Sequence, residues 1–418
     1  MIIFDLKKTI YFIWLSILIG SCTKGNYSAD TYNIPVADMV GKYSVLSISD
    51  FASSITYIPL ETNDNVLIDG IINQIIYERD KIIIKDLNQS CMVFNSNGRF
   101  LHYLGKKGLG PDEYLFVRNI SLWNDSIFLH TYSPAKIRIY NSEGRLLNII
   151  KPENVPETYD LRSIWFLSSR FYLSDIVKMA ANFSYSSYPR ALLLHEENNQ
   201  LTINREYPQV ILKKETGGFS VSYEVATMYR FKDQIRTYKA INDTIFTVGP
   251  EMEIDKAYVF DFGKYRANTK WMFEMSQNKE LIYIWPLNIM ESTNYLFIEF
   301  FFGNQAPERF DYLTRPGTPY ERINTDYRVF GIFDKRTGQL KLMNQPIKKK
   351  LGFRNDIDGG PVIWPAYISS NDELISTIQP EEFMDYYSRI MNPSAELRKI
   401  AEQIEFDDNP IVIVTKLK

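Results

Sequence analysis

A nine-residue phrase, Val93-Phe94-Asn95-Ser96-Asn97-Gly98-Arg99-Phe100-Leu101, returns nearly unchanged as Ile139-Tyr140-Asn141-Ser142-Glu143-Gly144-Arg145-Leu146-Leu147. Each copy is an apolar arm, a polar turn with one glycine, a basic residue and a second apolar arm. β-Branched and aromatic residues favour pleated strands, and glycine takes the positive φ that a tight hairpin demands. Gly98 and Gly144 stand 46 positions apart. That is the length of one four-stranded sheet in a ring of stacked sheets, a β-propeller.

Divided at its turn formers, the chain gives six such units. The first is Ile71–Tyr77, Lys81–Asp86, Ser90–Asn95 and Phe100–Gly105; the second is Arg118–Trp123, Ser126–Tyr132, Lys136–Asn141 and Arg145–Ile150. A third runs from Leu161 to Tyr207 and a fourth from Val221 to Phe260. Ile282–Pro286, Tyr295–Phe302, Arg328–Asp334 and Gln339–Met343 make the fifth. Its last turn, Lys335-Arg336-Thr337-Gly338, is a third version of the repeated hairpin. Val362–Ala366, Glu373–Ile378 and Ile411–Lys416 leave the sixth one strand short, and Ile55–Leu60 supplies it. The expectation is an all-β, six-bladed β-propeller closed by its N- and C-terminal strands, because closure removes exposed sheet edges.

Three segments interrupt the strands. Pro380 to Glu405 reads as a short C-terminal helical insertion, opened by Pro380 with Glu381, Glu382 and Asp385 at its positive end and broken at Pro393. Asp261–Glu280 reads as an insertion or short helix. Gly303–Asp326 reads as a long loop, and loops of that length are usually functional or mobile.

The first residues have another purpose. Lys7 and Lys8 precede the apolar stretch Thr9–Ile19, too short for a comfortable membrane span, and Ile19-Gly20-Ser21-Cys22 follows. Residues 1–21 read as a signal peptide, and the last four positions resemble a lipobox, which implies lipid on Cys22; the alternative is an ordinary secretory signal. Residues 22–50 are polar and read as a flexible tether, leaving 51–418 for the propeller. The one other cysteine, Cys91, falls in a strand and reads as a small buried hydrophobe. A formal net charge of −3 offers no basic field to nucleic acid.

Ile55-Thr56-Tyr57-Ile58-Pro59-Leu60-Glu61-Thr62, Gly108-Leu109-Gly110-Pro111-Asp112-Glu113-Tyr114, Asn355-Asp356-Ile357-Asp358-Gly359-Gly360 before Trp364-Pro365, and Asp408-Asn409-Pro410-Ile411-Val412-Ile413 together span nearly all of the chain after the signal. They resemble the exported six-bladed β-propeller lipoproteins of gut-dwelling Gram-negative bacteria, which are similar to NHL-type propellers. The resemblance implies architecture and export to the cell envelope, with no agreed reaction.

Candidate chemistry is sparse. Gly108-Leu109-Gly110 lacks the Lys-Ser/Thr and the helix of a phosphate loop. Glu113 reads as a cap on that turn or as a ligand group. Asp356 and Asp358 read as turn formers or as part of an acidic calcium loop whose other ligands are missing. His102, His130 and His195 match no zinc motif, and His102 and His130 read as packed or solvated strand residues. Trp285 and Trp364, each before proline, end predicted innermost strands and read either as packing between blades or as a stacking surface for a sugar or a peptide side chain. No catalytic residue, metal or cofactor is assigned.

The functional expectation is a lipid-anchored binding or scaffold module of the cell envelope, at the outer membrane, with a glycan or protein ligand at the channel mouth. The rival is a propeller-type polysaccharide lyase or hydrolase with a channel metal. A structural subunit of an uptake complex is the third reading. All three lean on fold analogy.

Overall fold

The computed structural model describes residues 31–68, 71–110, 113–132, 135–156, 159–178, 191–207, 226–239, 242–267, 282–314 and 321–418. The expected signal 1–21, Cys22 and residues 23–30 of the expected tether lie outside the described residues, as do Pro111 and Asp112.

Strand after strand forms where the sequence alternates or runs apolar between turn formers. Ile72–Glu78, Lys81–Asp86, Cys91–Asn95 and Phe100–Tyr103 pair in sequence order as blade I. The inner strand Lys81–Asp86 is buried almost throughout, whereas Phe100–Tyr103 alternates between half-buried and exposed, as an outermost strand must. Cys91 is fully buried, and burial pushes its thiol up to about 12.

The repeated phrase closes identically in both copies. The Asn95 carbonyl accepts from Gly98 N (3.0 Å) and the Asn95 N–H donates to Arg99 O (2.9 Å); Asn141, Gly144 and Arg145 repeat this at 3.1 and 3.0 Å. The asparagine Oδ1 also accepts from Arg99 N (2.9 Å) and from Arg145 N (2.8 Å) respectively. Gly98 and Gly144 take φ of +81° and +78°. A Cβ on Gly98 would stand 2.1 Å from the Pro59 carbonyl oxygen, and one on Gly144 2.4 Å from His102 Nδ1. Glycine is therefore needed twice over, for backbone conformation and for the close approach of the neighbouring sheet.

Three further blades are separate sheets. Blade II is Ala226–Phe231, Gln234–Lys239, Thr244–Val248 and Ile254–Phe260; blade III is Trp285–Glu291, Tyr295–Phe301, Arg328–Asp334 and Gln339–Met343. Blade IV is Tyr367–Ile368, Glu373–Ile378, Ile411–Leu417 and Ala52–Pro59, with Ile55 opposite Thr415, Tyr57 opposite Ile413 and Pro59 opposite Ile411. The first long strand and the last one thus complete one sheet, as expected.

Six separate blades are not what the hydrogen bonding gives. Phe116–Trp123 through Leu146–Pro152 and Tyr159–Ser168 through Gln200–Tyr207 form a single eight-stranded sheet. The cause is local. Lys151 and Pro152 lie parallel to Gln200 and Leu201, so two outer edges satisfy each other through Lys151 N to Asn199 O (3.0 Å) and Glu153 N to Leu201 O (2.8 Å). Four separate blades and this double sheet make the propeller-like arrangement. The two end strands of the double sheet, Phe116–Trp123 and Tyr159–Ser168, touch each other, and the innermost strands of neighbouring sheets touch likewise, Ala226–Phe231 against Trp285–Glu291 and Tyr367–Ile368 against Ile72–Glu78.

The tether boundary at residue 50 also requires correction. Tyr32–Ile34 adds in parallel to the outer strand of blade II, Tyr43–Ser44 adds in parallel to that of blade III, and a helical turn Val36–Met39 joins them. Folded structure therefore begins by Thr31. The long loop Gly303–Asp326 is likewise more ordered than expected. It holds a two-stranded hairpin, Phe310–Thr314 with Arg322–Asp326, around residues 315–320, which lie outside the described set. Of Asp261–Glu280, residues 261–267 are described and contain one 3-10 turn, Gly263–Tyr265. Helices Pro380–Ser388 and Ala395–Ala401 flank Pro393.

The core sits between sheets. Tyr295–Phe301 shows how: Leu296, Ile298 and Phe300 pack with Tyr238, Ile245 and Phe260 of blade II, while Tyr295 and Phe297 pack with Ile55, Leu374 and Ile413 of blade IV. One strand with period-two alternation feeds two apolar layers, which is why it reads as a continuous apolar run.

Candidate functional site

Trp285 starts the innermost strand of blade III and faces blade IV. It stands opposite Phe301, and Phe301 stands opposite Arg328. Trp285 and Phe301 stack at 4.0 Å and 18°, leaving Trp285 only 7% exposed, and Tyr327 lies 5.4 Å from Phe301. Arg328 grips Asp326 with two parallel bonds, Nε to Oδ1 at 3.0 Å and Nη2 to Oδ2 at 2.7 Å. The Asp326 hydrogen bonds raise the Arg328 pKa above its ordinary value, so the guanidinium is permanently charged. Its Nη1 also lies 4.0 Å from Glu299 Oε2.

Glu299 links this row to the second tryptophan. Its Oε1 accepts from Trp364 Nε1 at 3.1 Å and from Asn288 Nδ2 at 3.4 Å. The Trp364 ring stacks on Phe330 at 4.2 Å and meets Phe353 and Phe297, each at 5.9 Å. Register and contacts therefore put Trp285, stacked on Phe301, on the side of blade III that carries Glu299 and its partner Trp364, with Arg328 opposite Phe301. Both rings spend their faces largely on neighbouring aromatics. What stays half-open is the charged rim: the side chain of Arg328 is 44% exposed and that of Glu299 17%. Exposed planar donors and acceptors beside aromatic rings can hold a polar ligand by hydrogen bonds and edge contacts.

The three other candidates stand elsewhere and apart. Glu113 closes the glycine turn, its Oε2 accepting from Gly110 N at 2.8 Å and its Oε1 facing Lys106 Nζ at 3.4 Å. The Gly110 N–H and then Lys106 hold its carboxyl below the usual range. Asp356 accepts from Ser49 Oγ (2.7 Å) and Ser49 N (3.0 Å); burial alone would raise its pKa, but the Ser49 bonds bring it below the ordinary value. Asp358 Oδ1 accepts from Asn355 Nδ2 (2.6 Å), Gly360 N (2.9 Å) and Tyr57 OH (3.2 Å). The two aspartates have different partners and do not converge. Among the described residues no three His, Cys, Asp or Glu side chains are placed to share a metal ion.

His130 is buried, with Nδ1 3.3 Å from Asn119 Oδ1. Burial and then the charge of Arg118 pull it down to about 3, so it stays neutral and out of proton traffic near neutral pH. A larger buried network holds Glu291. Its carboxylate accepts from Arg236 Nε (3.1 Å), Lys335 Nζ (2.8 Å), Tyr258 OH (2.7 Å) and Tyr229 OH (3.0 Å). It joins blade II to blade III and is saturated by its own partners.

Sequence reasoning missed Glu299, Asp326, Arg328 and Tyr327. A signal existed for the first, since Glu299 is the one acid within Tyr295–Phe302. Asp326 ended what read as a long loop, and Arg328 opened the strand expected after it.

A family model described as "Domain of unknown function (DUF4934)" matches residues 31–416. The chain belongs to the DUF4934 family. The matched span includes the segment that adds to blades II and III. Among solved structures, this DUF4934 chain is similar to a protein of Bacteroides fragilis NCTC 9343 described as exported. Identity is 18% and the TM-score 0.65, over 93% of this chain and 99% of that one. It is also similar to a member of the DUF4221 family from Bacteroides vulgatus ATCC 8482, at 11% identity and a TM-score of 0.51, over 88% and 97% of the two chains. At these identities the likeness is one of fold. Among curated proteins, none matches the chain. No described helix is long and apolar enough to cross a membrane.

Proposed function

We propose that this DUF4934 protein is an exported binding or scaffold module of the cell envelope, anchored by lipid on Cys22, with its ligand seated at the blade III mouth. The observation that carries the reading is the half-exposed Arg328, clamped to buried Asp326 and beside Glu299, near Trp285, Phe301, Tyr327 and Trp364. A rigid charged rim on an aromatic base suits a glycan or a partner protein. The long hairpin Phe310–Thr314 with Arg322–Asp326 rises directly from it, since Asp326 is its last residue. Export draws support from the basic and apolar start of the chain and from the Bacteroides fragilis relative described as exported.

A glycan array and a pull-down from envelope extract test the ligand. An Arg328→Ala variant is expected to lose about tenfold or more of any retained binding, since hydrogen bonds to a charged group contribute about 1.5–3 kcal/mol. Retention unchanged in both Arg328→Ala and Trp364→Ala would sink the mouth as the site. The anchor is tested by feeding labelled palmitate to expressing cells. Label is expected on the wild-type chain and absent from Cys22→Ala; label on neither would remove the lipid from the reading.

A further inference from the structure

At the seam between blades IV and I, where Ala52–Pro59 runs out beside the first repeated turn, a cleft of about 510 Å³ opens. Its floor includes the buried side chains of Leu60 and Ile404, and its walls carry Asn97, Arg99, Gln403 and Asp408. The turn is fixed there because Gly98 lies against the Pro59 carbonyl. The Arg99 backbone is bonded to Asn95 through both its N–H and its carbonyl, so the exposed side chain projects from a rigid base.

What matters is which polar groups are already used. Glu61, also in the wall, is spent: Oε1 accepts from Asn63 Nδ2 (2.8 Å) and Oε2 from Phe100 N (2.9 Å). Asp408 has given one oxygen, Oδ2, to Glu405 N (2.8 Å). The Arg99 guanidinium and the side-chain amides of Asn97 and Gln403 have no partner among the described residues. The unspent set is therefore four planar groups containing both donors and acceptors, with the charges of Arg99 and Asp408 opposed. Such a set neither selects an anion nor a cation. It matches adjacent hydroxyls, each of which donates and accepts at once. The apolar floor of Leu60 and Ile404 suits the C–H face of a pyranose.

We propose that this seam cleft binds a neutral saccharide. It stands on residues separate from the blade III mouth and does not rest on that reading. Saturation-transfer NMR on the full chain with maltotriose, cellotriose and N,N′,N″-triacetylchitotriose tests it. At least one is expected to bind, with Arg99→Ala weakening it about tenfold or more, Gln403→Ala weakening it too, and Arg205→Ala on the exposed face of the double sheet leaving it unchanged. Both substituted wall positions are exposed, so the variants are expected to fold with an unchanged thermal midpoint. No binding of any of the three sugars overturns the proposal, as does binding that survives both Arg99→Ala and Gln403→Ala. Displacement of the sugar by trialanine assigns the cleft to peptides and also overturns it. Loss in Trp364→Ala with retention in Arg99→Ala would move sugar binding to the mouth, ending this proposal while sparing the previous one.

Discussion

A chain cut after Pro410 will lose its cooperative unfolding transition. Removing Ile411–Lys418 takes out the strand that pairs with Glu373–Ile378 on one side and Ala52–Pro59 on the other. Ile411 and Val412 are fully buried and Ile413 is 2% exposed, so two apolar layers lose their common member. Both remaining strands would present unpaired backbone groups and apolar faces to water, a state prone to edge-to-edge association. Urea titration followed by far-UV circular dichroism should show a broad, shallow curve in place of a sigmoid. The point variant Ile413→Ala, expected to fold, should cost about 2–5 kcal/mol, the usual range for emptying a buried large aliphatic site. A midpoint unchanged by either alteration would mean that joining the ends contributes nothing to stability.

Replacing Glu291 by alanine should be the most damaging single substitution, at about 3–5 kcal/mol, because it strands two buried cations. The side chains of Arg236 and Lys335 are each 7% exposed and that of Glu291 is not exposed at all. Burial opposes every charge here, and it does lower Lys335; the two cations nonetheless hold the Glu291 carboxyl below the usual glutamate range. Its folded pKa being depressed, the carboxylate's contribution is complete above the ordinary glutamate pKa and is lost as pH falls through the lower folded value. Chemical denaturation of wild type and Glu291→Ala at neutral and strongly acidic pH measures both effects, and their stabilities should approach one another in acid. Arg79→Ala, which breaks the exposed pair with Asp125, is the control and should leave the midpoint where it is. A Glu291→Ala chain as stable as that control would refute the account.

Local chemistry made much of this architecture readable. Lys81–Asp86 and the three glycine turns were visible because each strand ended at residues with a turn-specific reason to be there, and the meeting of Ile55–Leu60 with Ile411–Lys416 followed from one sheet being a strand short. Pairings of two or three residues left no pattern to read. Tyr32–Ile34, Tyr43–Ser44 and Lys151–Pro152 are too short for alternation to show, yet they cover two sheet edges and merge two expected blades. The hairpin Phe310–Thr314 with Arg322–Asp326 escaped for another reason. Arg322, Ile323 and Asn324 are exposed one after another, so nothing there forces apolar residues to alternate with polar ones.

The site was half legible on similar grounds. Trp285 and Trp364 announce themselves by size and by the following proline, and the fold does bring them to one side of blade III. Arg328 carries no such mark. Its importance arises from Asp326 beside it and Glu299 on the next strand, and only tertiary pairing puts those together. Glu291 shows the same limit, since its partners come from 55 and 44 residues away.

The parallel additions of Tyr32–Ile34 and Tyr43–Ser44 bear on how a peptide could join these sheets. Each short strand already occupies the outer strand of blade II or blade III over the residues it pairs, so an extended segment arriving there would have to peel this stretch away before it could hydrogen-bond in its place.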